Sequence, residues 1–282
     1  MRTEVNNHRR PTGGQIATGT FLALAVMVAL FPILWVIMSS FKTNQEILSS
    51  GISLPASFSF EGYRQALAIS PLLQYFGNSV AISLAATALN VFLISLAAYV
   101  FARYDFKAKN LIYNVLMISM MVPVTALLSP IFKLVTDLNL YDTRSGLVLI
   151  YTGLNLALSL MIMRNGYANV PASIEDAARV DGAGFVRTYA QIMTPIAKSS
   201  LASAAVLAFL NNWNEFTFAL TVTGSQNVRT LPLALSYFTS QFSFNYTALF
   251  AAITMSVLPS ILVFAIFQEQ VIKSMTAGAV KG

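Results

Sequence analysis

The sequence predicts an all-α integral membrane protein with about six transmembrane helices, and three observations carry that expectation. Hydrophobic residues make up 56% of the chain and charged residues only 10%, against about 25% charged in a soluble domain. Six apolar runs are each long enough to cross a bilayer at roughly 20 residues per crossing, and short polar segments join them. Alternating ten-residue strands, the signature of a membrane barrel, do not occur. Hydrocarbon satisfies no exposed backbone group, so each run must be helical.

The chain opens on a polar stretch, 1–15, with Arg2, Arg9 and Arg10. The first apolar run, 16–38, is longer than a signal-peptide core and reads as a retained helix. The second, 79–99, contains Asn90. The third, 111–132, contains Pro123 and Pro130. The fourth, 146–163, contains Gly153 and Asn155. The fifth, 196–222, is interrupted by Asn211, Asn212, Trp213, Asn214 and Glu215, and the sixth, 247–267, contains Pro259. Residues 16–268 are therefore expected to form one membrane domain, followed by a polar tail, 269–282. Prolines inside spans are tolerable where neighbouring helices satisfy the freed carbonyls.

Lys and Arg in the loops set the orientation. With the N-terminus placed in the cytoplasm, 12 of the 17 basic residues fall inside. Lys42, Arg64, Lys133, Arg144 and Arg229 fall outside. Both termini are then cytoplasmic, as an even number of spans requires. The net charge of +6 does not mark a nucleic-acid binder, because the basic residues form no stripe. Cysteine is absent, which excludes disulfides, thiolate metal sites and a cysteine nucleophile. The single histidine, His8, lies in the N-terminal tail. That excludes a histidine zinc site or a catalytic dyad within the membrane.

The connection 164–198, between the fourth and fifth spans, is more than a linker. Pro171 opens a helical stretch, and Ser173 with Asp176 three residues later reads as a capping box. Gly182 is placed to end the helix in a left-handed conformation. Ile174, Ala177, Ala178 and Asp181 fall at i, i+3, i+4 and i+7, which predicts one small-residue face. A second helical stretch, 185–193, follows, and Pro195 is expected to open the fifth span. A short helix with such a face suits docking into another protein's cleft. An interfacial helix lying on lipid headgroups is the competing reading.

Within the spans, Glu215 is the only acid, and intramembrane charges usually face a cavity. Asn211, Asn212, Trp213, Asn214 and Glu215 read either as a sugar-contacting lining of a path or as interhelical hydrogen-bonding groups. Trp213 could stack on a sugar face. Tyr151 and Asn155, one helical turn apart, are candidates for the same lining.

Glu175-Asp176-Ala177-Ala178-x-x-Asp181-Gly182-Ala183 followed by Ile192-x-x-Pro195 resembles the EAA loop of binding-protein-dependent ABC importer permeases. Asn78-Ser79, the run from Ala97 to Arg103, Trp213-Asn214-Glu215-Phe216 and the ending Ala277 to Gly282 are similar to the sugar-importing branch, and within it to the maltose-type six-span permease. Three positions depart from that pattern. Asp176 stands for the usual glutamate, Thr194 for the usual leucine, and Lys198-Ser199 for a lysine-proline pair.

The resemblance implies a division of labour. Two homologous permeases, as a heterodimer, form the path for a sugar or related solute. An extracytoplasmic binding protein delivers it, and two ATPase subunits each grip one EAA helix through Glu175, Asp176, Ala177, Ala178, Asp181, Gly182 and Ala183. It implies no cofactor on this chain, with ATP and magnesium used by the partners. The absence of a phosphate-binding loop of the G-x-x-x-x-G-K-[ST] type agrees with this. Residues 224–243, with Arg229, read as binding-protein contacts or as an ordinary outer loop. A secondary transporter or channel remains the alternative, and one intramembrane acid with no inverted repeat gives it thin support.

Overall fold

The computed structural model describes residues 13–238 and 245–279. Arg2, His8, Arg9, Arg10, the loop positions 239–243 and the end of the C-terminal motif, 280–282, lie outside the described residues. All regular structure described is helical, and it falls into two compact units.

The first unit covers 13–66 and 245–254. It begins with α1 (Gly13–Ser39), whose residues 17–34 are exposed and whose Pro32 is accommodated within the helix. Two short helices follow, α2 (Asn44–Ser49) and α3 (Glu61–Ile69), the latter running out of the unit. Thr43 caps α2 through a capping box with Glu46, which satisfies two otherwise orphaned backbone donors.

The second unit covers 67–238 and 255–279. Its axis is α4 (Leu72–Arg103), longer than the 79–99 expected because the flanking residues 72–78 and 100–103 are also helical. The third span is not a single helix. It comprises α5 (Lys109–Ile118) with a 3-10 turn to Met121, then a second 3-10 turn from Val124 and α6 (Leu128–Asp137). The two halves bend by 102°. Val122 is extended at ψ 122, as a residue before proline must be, and Pro123 donates no hydrogen bond. Pro130 sits in the first turn of α6, where a missing N–H costs little.

The fourth span is also bent, by 52°, between α7 (Arg144–Leu154) and α8 (Leu156–Ala168). The hinge is Asn155. Next comes α9 (Ala172–Val180). The stretch 185–193 is helical as expected, with α10 (Phe185–Arg187) running into a π-helical turn, Thr188–Met193, and α11 (Thr194–Ile196). The bend of 78° that follows, at Ala197, leads to α12 (Lys198–Asn214). Pro195 lies in α11 before the bend rather than opening the span, because it lacks an N–H for the carbonyl four residues back. The expected fifth span, 196–222, ends early at Asn214 and resumes as α13 (Thr217–Val222). The short α14 (Leu231–Ala234) and α15 (Tyr246–Ala279) complete the chain. Pro259 lies inside α15, whose first residues belong to the first unit.

Three straight helices and three bent pairs are thus long and apolar enough to cross a membrane, which makes about six spans. In the second unit α7, α8 and α12 pack against α4. One apolar core, including Tyr99, Leu160, Met163, Tyr167 and Met193, lies at the α9 end of this bundle. A second, including Ile82, Leu147, Tyr151 and Phe218, lies at the other.

Candidate functional site

The loop helix α9 is fixed at both ends by its own backbone. Pro171 occupies the cap position with extended geometry (φ −56°, ψ 138°) and no side-chain cap. The capping box expected from Ser173 and Asp176 is therefore absent, because Ser173 is already inside the first turn. At the far end Gly182 adopts φ +76°. The Ala183 N–H bonds to the Ala178 carbonyl at 2.9 Å, and the Gly182 N–H to that of Arg179 at 3.0 Å. This pair of bonds is the Schellman closure, the stop expected at Gly182.

Glu175, only 4% exposed, ties α9 to the end of α4. It accepts a hydrogen bond from the Tyr99 hydroxyl at 3.0 Å and one from Arg179 at 3.1 Å. Arg103 stands 3.5 Å away as a buried ion-pair partner and also donates to the Val170 carbonyl just before α9. Tyr99 sits at the centre of an aromatic cluster with Tyr104, Tyr167, Phe185 and Tyr189. The π-helical turn carries Tyr189 to Ser95, 2.5 Å away on α4. Arg179 lies outside the membrane-spanning helices. Its guanidinium is held above its ordinary value by hydrogen bonding to the Tyr104 hydroxyl and then by the Glu175 charge, so it stays cationic.

The expected small-residue face is only partly turned outward, since Ala177 and Asp181 are exposed. Ala178 is buried and Ile174 packs on the core, so those two positions face the chain itself, as does Glu175. The outward row is Ser173, Asp176, Ala177 and Val180, at the same i, i+3, i+4, i+7 spacing one residue round the helix. Val180 is 87% exposed, Asp181 and Gly182 are exposed, and Ala183 is half-buried. Asp176 pairs loosely with Arg179 at 3.7 Å and remains open to solvent. Tyr99 and Arg103 were visible in the sequence only as the end of a span, since their partner Glu175 is distant in the chain.

The polar group near the middle of the bundle resolves differently. Trp213 is 1% exposed, stacks on Phe209 and donates its indole N–H to the Ser256 carbonyl at 2.9 Å. It offers no free face to a sugar. Asn155 donates to Asn212 at 2.8 Å and to the Tyr151 carbonyl at 2.9 Å. Asn212 donates to Thr87 at 3.2 Å, joining α4, the α7–α8 hinge and α12. Tyr151 donates to Glu215 at 2.9 Å. Glu215 also takes the N–H groups of Phe218 at 2.7 Å and Ala219 at 3.0 Å.

The lone intramembrane acid thus caps α13, whose first turn has orphaned donors and a positive dipole end. Tyr151, Asn155, Asn212, Trp213 and Glu215 each have a hydrogen-bond partner within the chain, as polar groups in apolar surroundings require. Asn211 and Asn214 are exposed. Asn211 donates to Asn155 at 3.0 Å, and the two stand at one wall of a cavity of about 570 Å³. That cavity lies along the broken third span and is otherwise lined mainly by apolar side chains such as Met120, Leu134 and Ile150.

Residues 90–277 match the family described as the binding-protein-dependent transport system inner membrane component. The chain is 35% identical to the diacetylchitobiose uptake system permease protein NgcG of Streptomyces coelicolor, over 91% of this chain and 86% of that one. It is 33% identical to the arabinooligosaccharides transport system permease protein AraQ of Bacillus subtilis, over 95% and 96%. A chain in the crystal structure of a bacterial ABC transporter involved in the import of the acidic polysaccharide alginate shares the fold. The TM-score is 0.81 and the identity 21%, over 93% of this chain and 99% of that one. A helix held rigidly between two spans, a bundle of bent spans and this extent of similarity agree. The chain belongs to the family of inner membrane components of binding-protein-dependent transport systems.

Proposed function

We propose that this chain is a permease subunit of an ATP-driven importer for a sugar or sugar-derived solute, and that α9 is its coupling helix to a separate ATPase subunit. The observation that carries the reading is the mounting of α9. One face is locked to α4 through Glu175, Arg103 and Tyr99, while Ser173, Asp176, Ala177 and Val180 face away. A helix so mounted transmits a push to the bundle instead of folding under it. Differential contacts of the partner in its two states then bias a two-state bundle, with no chemistry needed in this chain.

Family membership supports a solute-binding protein as partner and ATP hydrolysis in other chains. A second, homologous permease completes the path, and the α9 side faces the cytoplasm. The sugar class is supported by relatives named for diacetylchitobiose and arabinooligosaccharide uptake. Asn211 and Asn214 are the residues of the polar layer left to meet solute. A proton-coupled carrier loses its one candidate group, because Glu215 is fully engaged as a cap.

The test is Asp176→Lys in the assembled importer. It reverses the charge on the outward face without touching Glu175. ATP-driven sugar uptake and copurification of the ATPase should be lost while membrane insertion is retained. Normal uptake with normal ATPase retention would reject the docking role of α9.

A further inference from the structure

The chain just past α1, the first turns of α3 and the start of α15 enclose a recess that no function above uses. Its volume is about 490 Å³, within the range of small-molecule sites, and it belongs wholly to the first unit. Every side chain that lines it is polar. The charge bias predicts that it opens on the extracytoplasmic side, where Lys42 is expected.

Two wall residues are buried polar groups with unused capacity. Lys42 is 1% exposed. Its ammonium carries three donors, and two of them reach the Gly51 and Ser50 carbonyls at 3.2 and 3.4 Å, long for such bonds. Thr247 is 5% exposed, and its hydroxyl has no partner among the described residues. A buried hydroxyl in that condition is destabilising. The threonine is held in place by α3, since a Cβ on Gly62 would fall 2.7 Å from its methyl.

The amides of the wall are already ordered. Asn245 donates to Gln65 at 2.6 Å and accepts the Ala248 N–H at 3.0 Å. Gln65 donates to Glu61 at 2.8 Å, and Arg64 holds the same carboxylate at 2.9 Å. Asn44 accepts the Tyr246 N–H at 3.0 Å through its carbonyl, which leaves its NH2 as a donor. Side chains fixed in advance lower the ordering cost of binding.

This lining selects its occupant. A lipid tail or an apolar helix face would strip water from the polar wall without pairing it. An anion would meet Glu61, and a metal ion would meet Lys42. A polyhydroxyl solute donates and accepts at every hydroxyl, which matches a wall of ammonium, amide, hydroxyl and carboxylate groups. We propose that this recess is a saccharide-binding subsite, with Thr247, Lys42 and Asn44 as its contacts. It rests on the sugar-importer reading above and adds to it a holding site in the first unit.

The absence of cysteine makes the test direct. The importer is assembled in proteoliposomes and assayed with a panel of saccharides that includes diacetylchitobiose and arabinotriose. Ser59→Cys and Thr43→Cys, singly, report on the recess, and Gln226→Cys serves as the control outside it. Each is reacted from outside with a membrane-impermeant methanethiosulfonate, with and without the sugar that the wild type takes up. The subsite predicts that sugar slows the reaction at 59 and 43 several-fold and leaves 226 unchanged. Thr247→Val, which replaces an unpartnered hydroxyl with a methyl of the same shape, should abolish that protection and lower uptake while thermal stability holds or rises. No protection, or protection and uptake unchanged in Thr247→Val, would make the recess a water-filled gap and overturn the proposal. So would cysteines at 59 and 43 that never react while 226 does, which would show a partner subunit covering the recess. ATP-driven uptake of no saccharide by the wild type would instead reject the importer reading, and the subsite with it.

Discussion

At the residue scale, Gly182 does what its position in the sequence announced. Its φ of +76° strains any side chain, at a cost of about 1–2 kcal/mol, and a β-branched one most. Gly182→Val should open the Schellman closure and shift Asp181. The expected result is loss of ATP-driven uptake and weaker ATPase copurification, with the variant still in the membrane. Glu175 was legible as part of a motif but not in its role. Glu175→Ala should leave Arg103 buried without its counter-charge, a loss of about 3–5 kcal/mol, seen as a fall in thermal stability of the detergent-solubilised protein. Asp176→Ala should leave thermal stability nearly unchanged. Trp213 and Asn214 separate in the same way. Trp213→Ala removes a buried indole and should cost about 3–5 kcal/mol, whereas Asn214→Ala should leave stability alone and lower sugar uptake.

At the element scale, the six apolar runs were visible but their breaks were not. Hydropathy integrates over about 19 residues, so it passes over a hinge at Asn155 or Ala197. Pro123 stands at the first bend and Pro195 two residues before the third, while the bend at Asn155 has no proline to mark it. Close packing near the α9 end is equally hidden. A Cβ on Gly166 of α8 would fall 2.4 Å from the Ser200 Cβ of α12. Gly166→Val should force the two helices apart and destabilise by roughly 1–3 kcal/mol, measurable in the same thermal assay.

The opposite loops are clipped by Asp142, which accepts the N–H groups of Gly224 at 2.9 Å and Ser225 at 3.0 Å. Burial alone would raise its pKa, but the Ser225 and Gly224 hydrogen bonds and the Arg229 charge outweigh burial and hold it below the ordinary carboxylate value. A lowered folded value means that the clip is fully present above the ordinary carboxylate pKa. It is lost as pH falls through the folded one. Amide exchange at Gly224 and Ser225, corrected for its intrinsic pH dependence, should stay slow at neutral pH. It should speed up only below about pH 4. Asp142→Asn should show fast exchange throughout.

At the scale of the whole molecule, the charge bias and the span count predict that the α9 loop and the 223–227 loop lie on opposite sides of the membrane. Cysteines introduced singly at Ser173 and Gln226, both exposed, should label with a membrane-impermeant maleimide from opposite faces of oriented vesicles. Labelling of both from one face would sink the topology. Composition, span number and the helix-stop at Gly182 were determined by the sequence, because each rests on local chemistry: apolar content, run length, and the φ freedom of glycine. The membrane class needed nothing else. Which face of α9 looks outward was decided only by tertiary structure, since it depends on Arg103 and Tyr99, far away in the chain, capturing Glu175. The fate of the polar layer was decided the same way. Asparagines, a tryptophan and a glutamate in an apolar span can line a path or hold helices together, and sequence cannot tell which. Only the arrival of Ser256, Thr87 and the α13 N–H groups within hydrogen-bonding reach gives Trp213, Asn212 and Glu215 partners within the protein.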